Sequence, residues 1–146
     1  MTTLLFHAHS GVRYLVLLAA LAALLYMAWG WAARRPWGKP ARIVMAVFVG
    51  LLDLQVLLGV LLAASGVFYP RLMGHITMMV LALVFAHGLS VAARRAADDR
   101  RRHALALAGV VLSLVLVVGG IMAIGRSPFG TSGMPTTDRT PSTVQP

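Results

Sequence analysis

The sequence predicts an all-α integral membrane protein, an up-down bundle of four helices. Three observations carry this. Of 146 residues, 59% are hydrophobic and 12% charged, a membrane composition rather than a soluble one. The apolar residues gather in four runs, at about residues 10–33, 43–66, 72–93 and 104–125, each near the ~20 residues that cross a hydrocarbon core. Each run is rich in Leu, Val and Ala, and a lone segment in lipid must satisfy its own backbone, which a helix does. One bundle over residues 1–125 leaves no room in this chain for a soluble catalytic domain.

The first helix opens around residues 7–10, after a short lead-in, and ends near Trp29, Trp31 and Trp37. Those rings sit where an interfacial aromatic belt belongs. Pro36, Gly38 and Pro40 then force a tight loop. The second helix stops near Ser65 and Gly66, with Phe68 and Tyr69 as interface anchors. The third runs back and the fourth returns. Short connections make sequential helices antiparallel neighbours, with the first and third diagonal. Residues 126–146 are rich in Pro, Ser, Thr and Gly. They read as an extended or disordered outer tail, or else as a strap along a neighbouring subunit. The start of the chain has no basic n-region, and its apolar run ends in Arg34 and Arg35, so it does not read as a cleavable signal.

A net charge of +9 invites a nucleic-acid reading, but its distribution argues against one. Arg34, Arg35, Lys39 and Arg42 join helices one and two; Arg94, Arg95, Arg100, Arg101 and Arg102 join helices three and four. By the positive-inside rule both loops, 34–42 and 94–103, face the cytoplasm, and the termini face the other side. With no cysteine, disulfides, thiolate chemistry, iron–sulfur clusters and Cys-attached haem are excluded.

Asp53 is the only acidic residue within the four runs, and it sits near the middle of the second. A charge there costs roughly 2.5–3.5 kcal/mol on insertion scales and so calls for a partner or a task. The bland reading is a structural pair with Arg13 or His87. The sharper one is a proton relay or quinone contact. Gln55, two residues on, points to a different side of the helix. Ser65, Thr77, Ser90 and Ser113 read as ordinary helix-interface residues.

The five histidines sort by depth. His7 and His9 open the first helix, and His75 lies one turn into the third from the same face, so His9 and His75 meet at one height. His87 lies nearer the other end, where His103 opens the fourth helix, shallower by roughly 9 Å. Imidazoles paired across a bundle suit a haem iron. Without Cys-x-x-Cys-His the haem is b-type. His75 and His87 are roughly 18 Å apart along the helix, a gap suited to two stacked haems. They are also about 120° apart around it, which sends His75 toward helix one and His87 toward helix four and makes one haem easier to build than two. His9 is preferred over His7 because it lies deeper. His7 and His103 also read as ordinary residues at helix ends beside water. Copper or zinc is the weaker metal reading, since beyond His7 and His9 no tight cluster exists, and Met73, Met78 and Met79 read as packing. Arg13, one turn below His9, either snorkels to the interface or pairs a haem propionate; Arg71 is placed for the same job.

With these positions assembled, the chain resembles the small bacterial four-helix membrane proteins described as cytochrome-b-like. The likeness rests on His9-Ser10-Gly11-Val12-Arg13-Tyr14, on Asp53-Leu54-Gln55-Val56-Leu57-Leu58-Gly59, on His75 with Met78 and Met79, on Ala86-His87-Gly88, and on Arg101-Arg102-His103-Ala104-Leu105. It spans residues 7 to about 125. It implies one or two b haems ligated by histidines drawn from His9, His75, His87 and His103, in the bacterial cytoplasmic membrane.

The leading expectation is therefore a membrane-embedded electron-transfer protein. No nicotinamide or flavin motif is present, so its redox partner is another protein or a lipid quinone. The competing expectation is a cofactor-free accessory subunit of a respiratory or photosynthetic membrane complex. A transporter ranks last, since no inverted repeat or broken helix pair supports it.

Overall fold

The computed structural model describes residues 1–66 and 69–129. Phe68, and the tail expected beyond residue 129, lie outside the described residues. The described chain is all-helical: α1 (Thr2–Ala32), α2 (Lys39–Ala64), α3 (Leu72–Arg95) and α4 (Asp99–Ala123). All four are long and apolar enough to cross a membrane, the mark of a multi-pass membrane protein.

The helices outrun their apolar cores, and local chemistry says why. α1 starts at Thr2 rather than around residues 7–10: no Gly or Pro interrupts the first five residues, and Phe6 is buried against the bundle. α2 starts at Lys39, with Gly38 as N-cap and Pro40 in the first turn, where a missing N–H costs nothing. It stops before Gly66, whose φ of 98° suits only glycine at no strain. α4 starts five residues early because Asp98 caps it, its carboxylate accepting the Arg101 N–H at 2.8 Å. Lys39, Arg42, Arg94, Arg95 and Arg100 to Arg102 are thus on helix ends rather than in loops.

The helices form a ring in which α1 packs on α2 and α4, and α3 packs closely on α4. α2 and α3 touch least of the neighbours, which leaves a seam along the bundle. The interior is small and the exterior large, as lipid demands. Ala20, Ala23, Ala82, Ala86 and Ala106 are fully buried or nearly so, while Leu18, Leu25, Val60, Val84 and Val115 face outward. The Ser113 hydroxyl donates to the Ala82 carbonyl at 2.9 Å in this dry interior. Gly109 lets α4 meet Leu89 of α3, where a Cβ would stand 3.0 Å from the leucine Cβ.

One end of the bundle carries the start of α1 and the end of α4; we call it the terminal end. The other carries the short connections 33–38 and 96–98 and is rich in arginine; we call it the basic end. There the Arg35 guanidinium lies over Trp29 at 4.8 Å and Arg100 over Trp31 at 5.2 Å.

Candidate functional site

A cavity of about 440 Å³ occupies the terminal half of the bundle and reaches the α2–α3 seam. All four helices line it, mainly with Val16, Leu52, Val56, Met79, Val117 and Ile121. Its polar members are few: His9, Arg13, Gln55, Tyr69, His75 and Arg126 among them. An apolar enclosure with a handful of convergent polar groups is the usual form of a small-molecule or cofactor site.

His9 from α1 and His75 from α3 face each other here, ring centroids 6.5 Å apart and planes at 84°. Both imidazoles are oriented by backbone. His9 Nδ1 lies 3.2 Å from the Gln55 carbonyl and His75 Nδ1 lies 2.9 Å from the Gly120 carbonyl. A carbonyl oxygen only accepts, so each Nδ1 carries the proton and each Nε2 keeps its lone pair. This is the arrangement that holds metal-ligating histidines, the second nitrogen being anchored to a carbonyl.

Glycines make the approach possible. A Cβ on Gly59 would stand 3.1 Å from the His9 ring, and one on Gly120 would stand 3.2 Å from His75 Nδ1 and 2.8 Å from Met79 Cε. Gln55, 7% exposed, donates its amide N–H to the His9 carbonyl at 3.0 Å and brings the same nitrogen 3.4 Å from His9 Nε2. Its Oε1 is buried with no hydrogen-bond partner among the described residues.

The donor set fits a b-type haem. A metal–imidazole bond is about 2 Å long and a ring nitrogen lies about 1 Å from its ring centre, so two imidazoles on opposite sides of one metal have centroids about 6 Å apart. Among the described residues no three His, Cys, Asp or Glu side chains converge. A two-nitrogen site suits a metal that brings its own equatorial ligands, not bare copper or zinc.

Arginine flanks the cavity differently from expectation. Arg13 lines it and is buried rather than snorkelling out; its Nη2 donates to the Tyr14 hydroxyl at 2.9 Å. Arg71 precedes α3, is exposed, and does not line the cavity. Arg126 takes that place, its guanidinium 5.4 Å from the centre of the Phe6 ring. His7 is exposed and stacks edge-on with Phe6.

The other histidines do not form a second pair. His87 faces α2, not α4: its Nε2–H donates to Asp53 Oδ1 at 2.8 Å, with both side chains about half exposed. The packing of α3 on α4 explains this. Ala82 and Ala86 supply the buried face, and His87, one residue further around, turns to the seam. Asp53 thus pairs with His87 and not Arg13, and it is not buried in the protein. His103 is not at a wet helix end. It is 1% exposed, edge-on to Trp37 at 5.0 Å, so Trp37 turns partly inward instead of joining the belt. It fills the space over Gly30, where a Cβ would stand 2.4 Å from its ring.

No protein-family model, curated protein or solved structure matches this chain. Sequence reasoning missed Arg126, which it counted with the tail, and Gly30, Gly59 and Gly120. A signal for Arg126 was present: it is the first cation after the fourth apolar run.

Proposed function

We propose that this chain is a b-type cytochrome-like electron-transfer protein of the bacterial cytoplasmic membrane, holding one haem between His9 and His75. Two imidazoles with ring centres 6.5 Å apart on one apolar cavity, each anchored through Nδ1 on a backbone carbonyl, are the observation that carries it. When bound, a b-type haem supplies one-electron redox chemistry in a low-dielectric shell. His9 and His75 would hold the iron, and Arg13 and Arg126, on the same cavity, would meet its propionates. Val16, Leu52 and Val117 exclude water. The likeness to four-helix cytochrome-b-like proteins is part of this reading, with one difference: only one histidine pair comes together.

The basic end belongs in the cytoplasm by the positive-inside rule, with the termini periplasmic. Electrons come from or go to a membrane protein partner or a lipid quinone. Asp53 and His87, at mid-span, are the candidates for proton movement coupled to that exchange.

A second reading, a cofactor-free accessory subunit, draws support from the half-exposed His87–Asp53 pair, which a neighbouring subunit would cover. Colour separates the two. A dithionite-reduced minus oxidised spectrum of the purified protein, with haem quantified, should show sharp b-type bands at about one haem per chain. A colourless protein from haem-replete cells would overturn the cytochrome reading in favour of the accessory one.

A further inference from the structure

A second cavity, of about 460 Å³, opens in the α2–α3 seam at the basic end. Arg42, Ala46, Val49, Gly50 and Asp53 line its α2 wall at spacings of three and four residues, so they form one face. His87, Ser90 and Arg94 line the α3 wall. From Arg42 to Asp53 the groove runs about 16 Å along α2.

Its two ends differ. At the deep end the His87–Asp53 hydrogen bond ties the helices together. At the shallow end Arg42 and Arg94 lie on one cavity from different helices, beside Trp37. Arg35 lies over Trp29, Arg100 lies over Trp31, and Arg102 pairs with Asp99 at 3.0 Å, while Arg34, Arg95 and Arg101 do not line the groove. Arg42 and Arg94 make no hydrogen bond, ion pair or ring contact with the described residues. The one carboxylate of the groove, Asp53, is engaged by His87. Between the ends the α2 wall is apolar and Ser90 stands on the α3 wall; a Cβ on Gly50 would meet nothing within 4 Å, so the groove is open above it.

We propose that this groove binds an anionic phospholipid, its phosphate between Arg42 and Arg94 and an acyl chain along Met45, Ala46, Val49 and Gly50. Guanidinium forks match phosphate oxygens bidentately. Basic pockets between transmembrane helices are where acidic headgroups dock. Free phosphate would use only the two arginines and leave the apolar length bare. A partner helix that brings no anion would leave Arg42 and Arg94 without a counter-charge. This inference is independent of the haem reading, since no residue of the His9–His75 cavity takes part.

The test is the thermal midpoint of the full-length protein in neutral detergent, with phosphatidylglycerol, phosphatidylcholine or inorganic phosphate added. Phosphatidylglycerol alone should raise the midpoint, by about 5 °C. R42Q/R94Q should abolish the rise, whereas R95Q/R101Q, which removes the same charge outside the groove, should keep it. G50L retains both arginines and fills the groove, so it too should lose the rise. Helical circular dichroism and a monodisperse elution profile establish that each variant is folded. An equal rise with phosphatidylcholine or with phosphate overturns the proposal. So does the absence of any rise, a rise that survives R42Q/R94Q or G50L, or one that R95Q/R101Q loses equally.

Discussion

His9 and His75 stand edge-to-face across the terminal cavity, 6.5 Å between ring centres, each with Nδ1 on a helix carbonyl. Those carbonyls belong to α2 and α4, so all four helices take part in placing two rings. The arrangement makes the site sensitive to residues that never touch a ligand.

H75A and H9A should each lose haem absorbance while the protein still inserts and elutes as a folded species. H87A and H103A should keep it, at about one haem per chain as in the parent. Haem content by pyridine haemochrome assay checks this, and full retention in H75A would remove the His9–His75 assignment.

Gly120 sets the position of His75 by close approach. G120V should push against His75 and Met79 and lower haem affinity at least tenfold, about 1.4 kcal/mol. G119A, whose Cβ would meet Met78 Sδ at an ordinary 3.4 Å, should bind as the parent does. Haem titration into the apoprotein measures both, and equal affinity for the two variants would contradict the geometry.

The His87–Asp53 bond is an interhelical tie across the least-packed seam. A double-mutant cycle through H87A, D53N and their combination should return a coupling energy on the order of 1 kcal/mol, the scale of polar contacts between membrane helices. Unfolding in mixed micelles gives the number, and a coupling near zero would show the pair adds nothing. D53N should also keep haem and change the pH dependence of its redox potential; an unchanged dependence leaves Asp53 a structural residue.

Gly30 and His103 fit as a unit. G30A places a methyl inside the imidazole and should destabilise by about 1–3 kcal/mol, as overpacking does. G30A/H103A, with the ring removed, should recover much of that loss. G88A, where a Cβ meets nothing within 4 Å, should be neutral. A G30A midpoint matching that of G88A would refute the close contact.

Much of this was legible in the chain. Span number, the all-helical class and the alternating direction follow from hydropathy and length, which are local properties. That Asp53 and Gln55 leave α2 on different sides also follows from the 100° step per residue. Gln55 reaches His9 while Asp53 reaches His87. The height match of His9 and His75 was readable from their distances to helix ends.

Helix rotation and pair choice were not readable, because they are settled by packing between helices. Gly109, Gly119 and Gly120 draw α4 onto α3, and that contact turns His87 to the α2 seam rather than to α4. Gly30 admits His103 to a dry pocket although its position along the chain suggested a wet helix end. Arg126 displaced Arg71 at the cavity because the chain turns back after Gly125, at a φ of 74°. The sequence by itself thus determined four apolar helices, their order and the shared height of His9 and His75. Only the tertiary structure decided which polar groups meet, since that depends on how small residues let neighbouring helices approach and rotate.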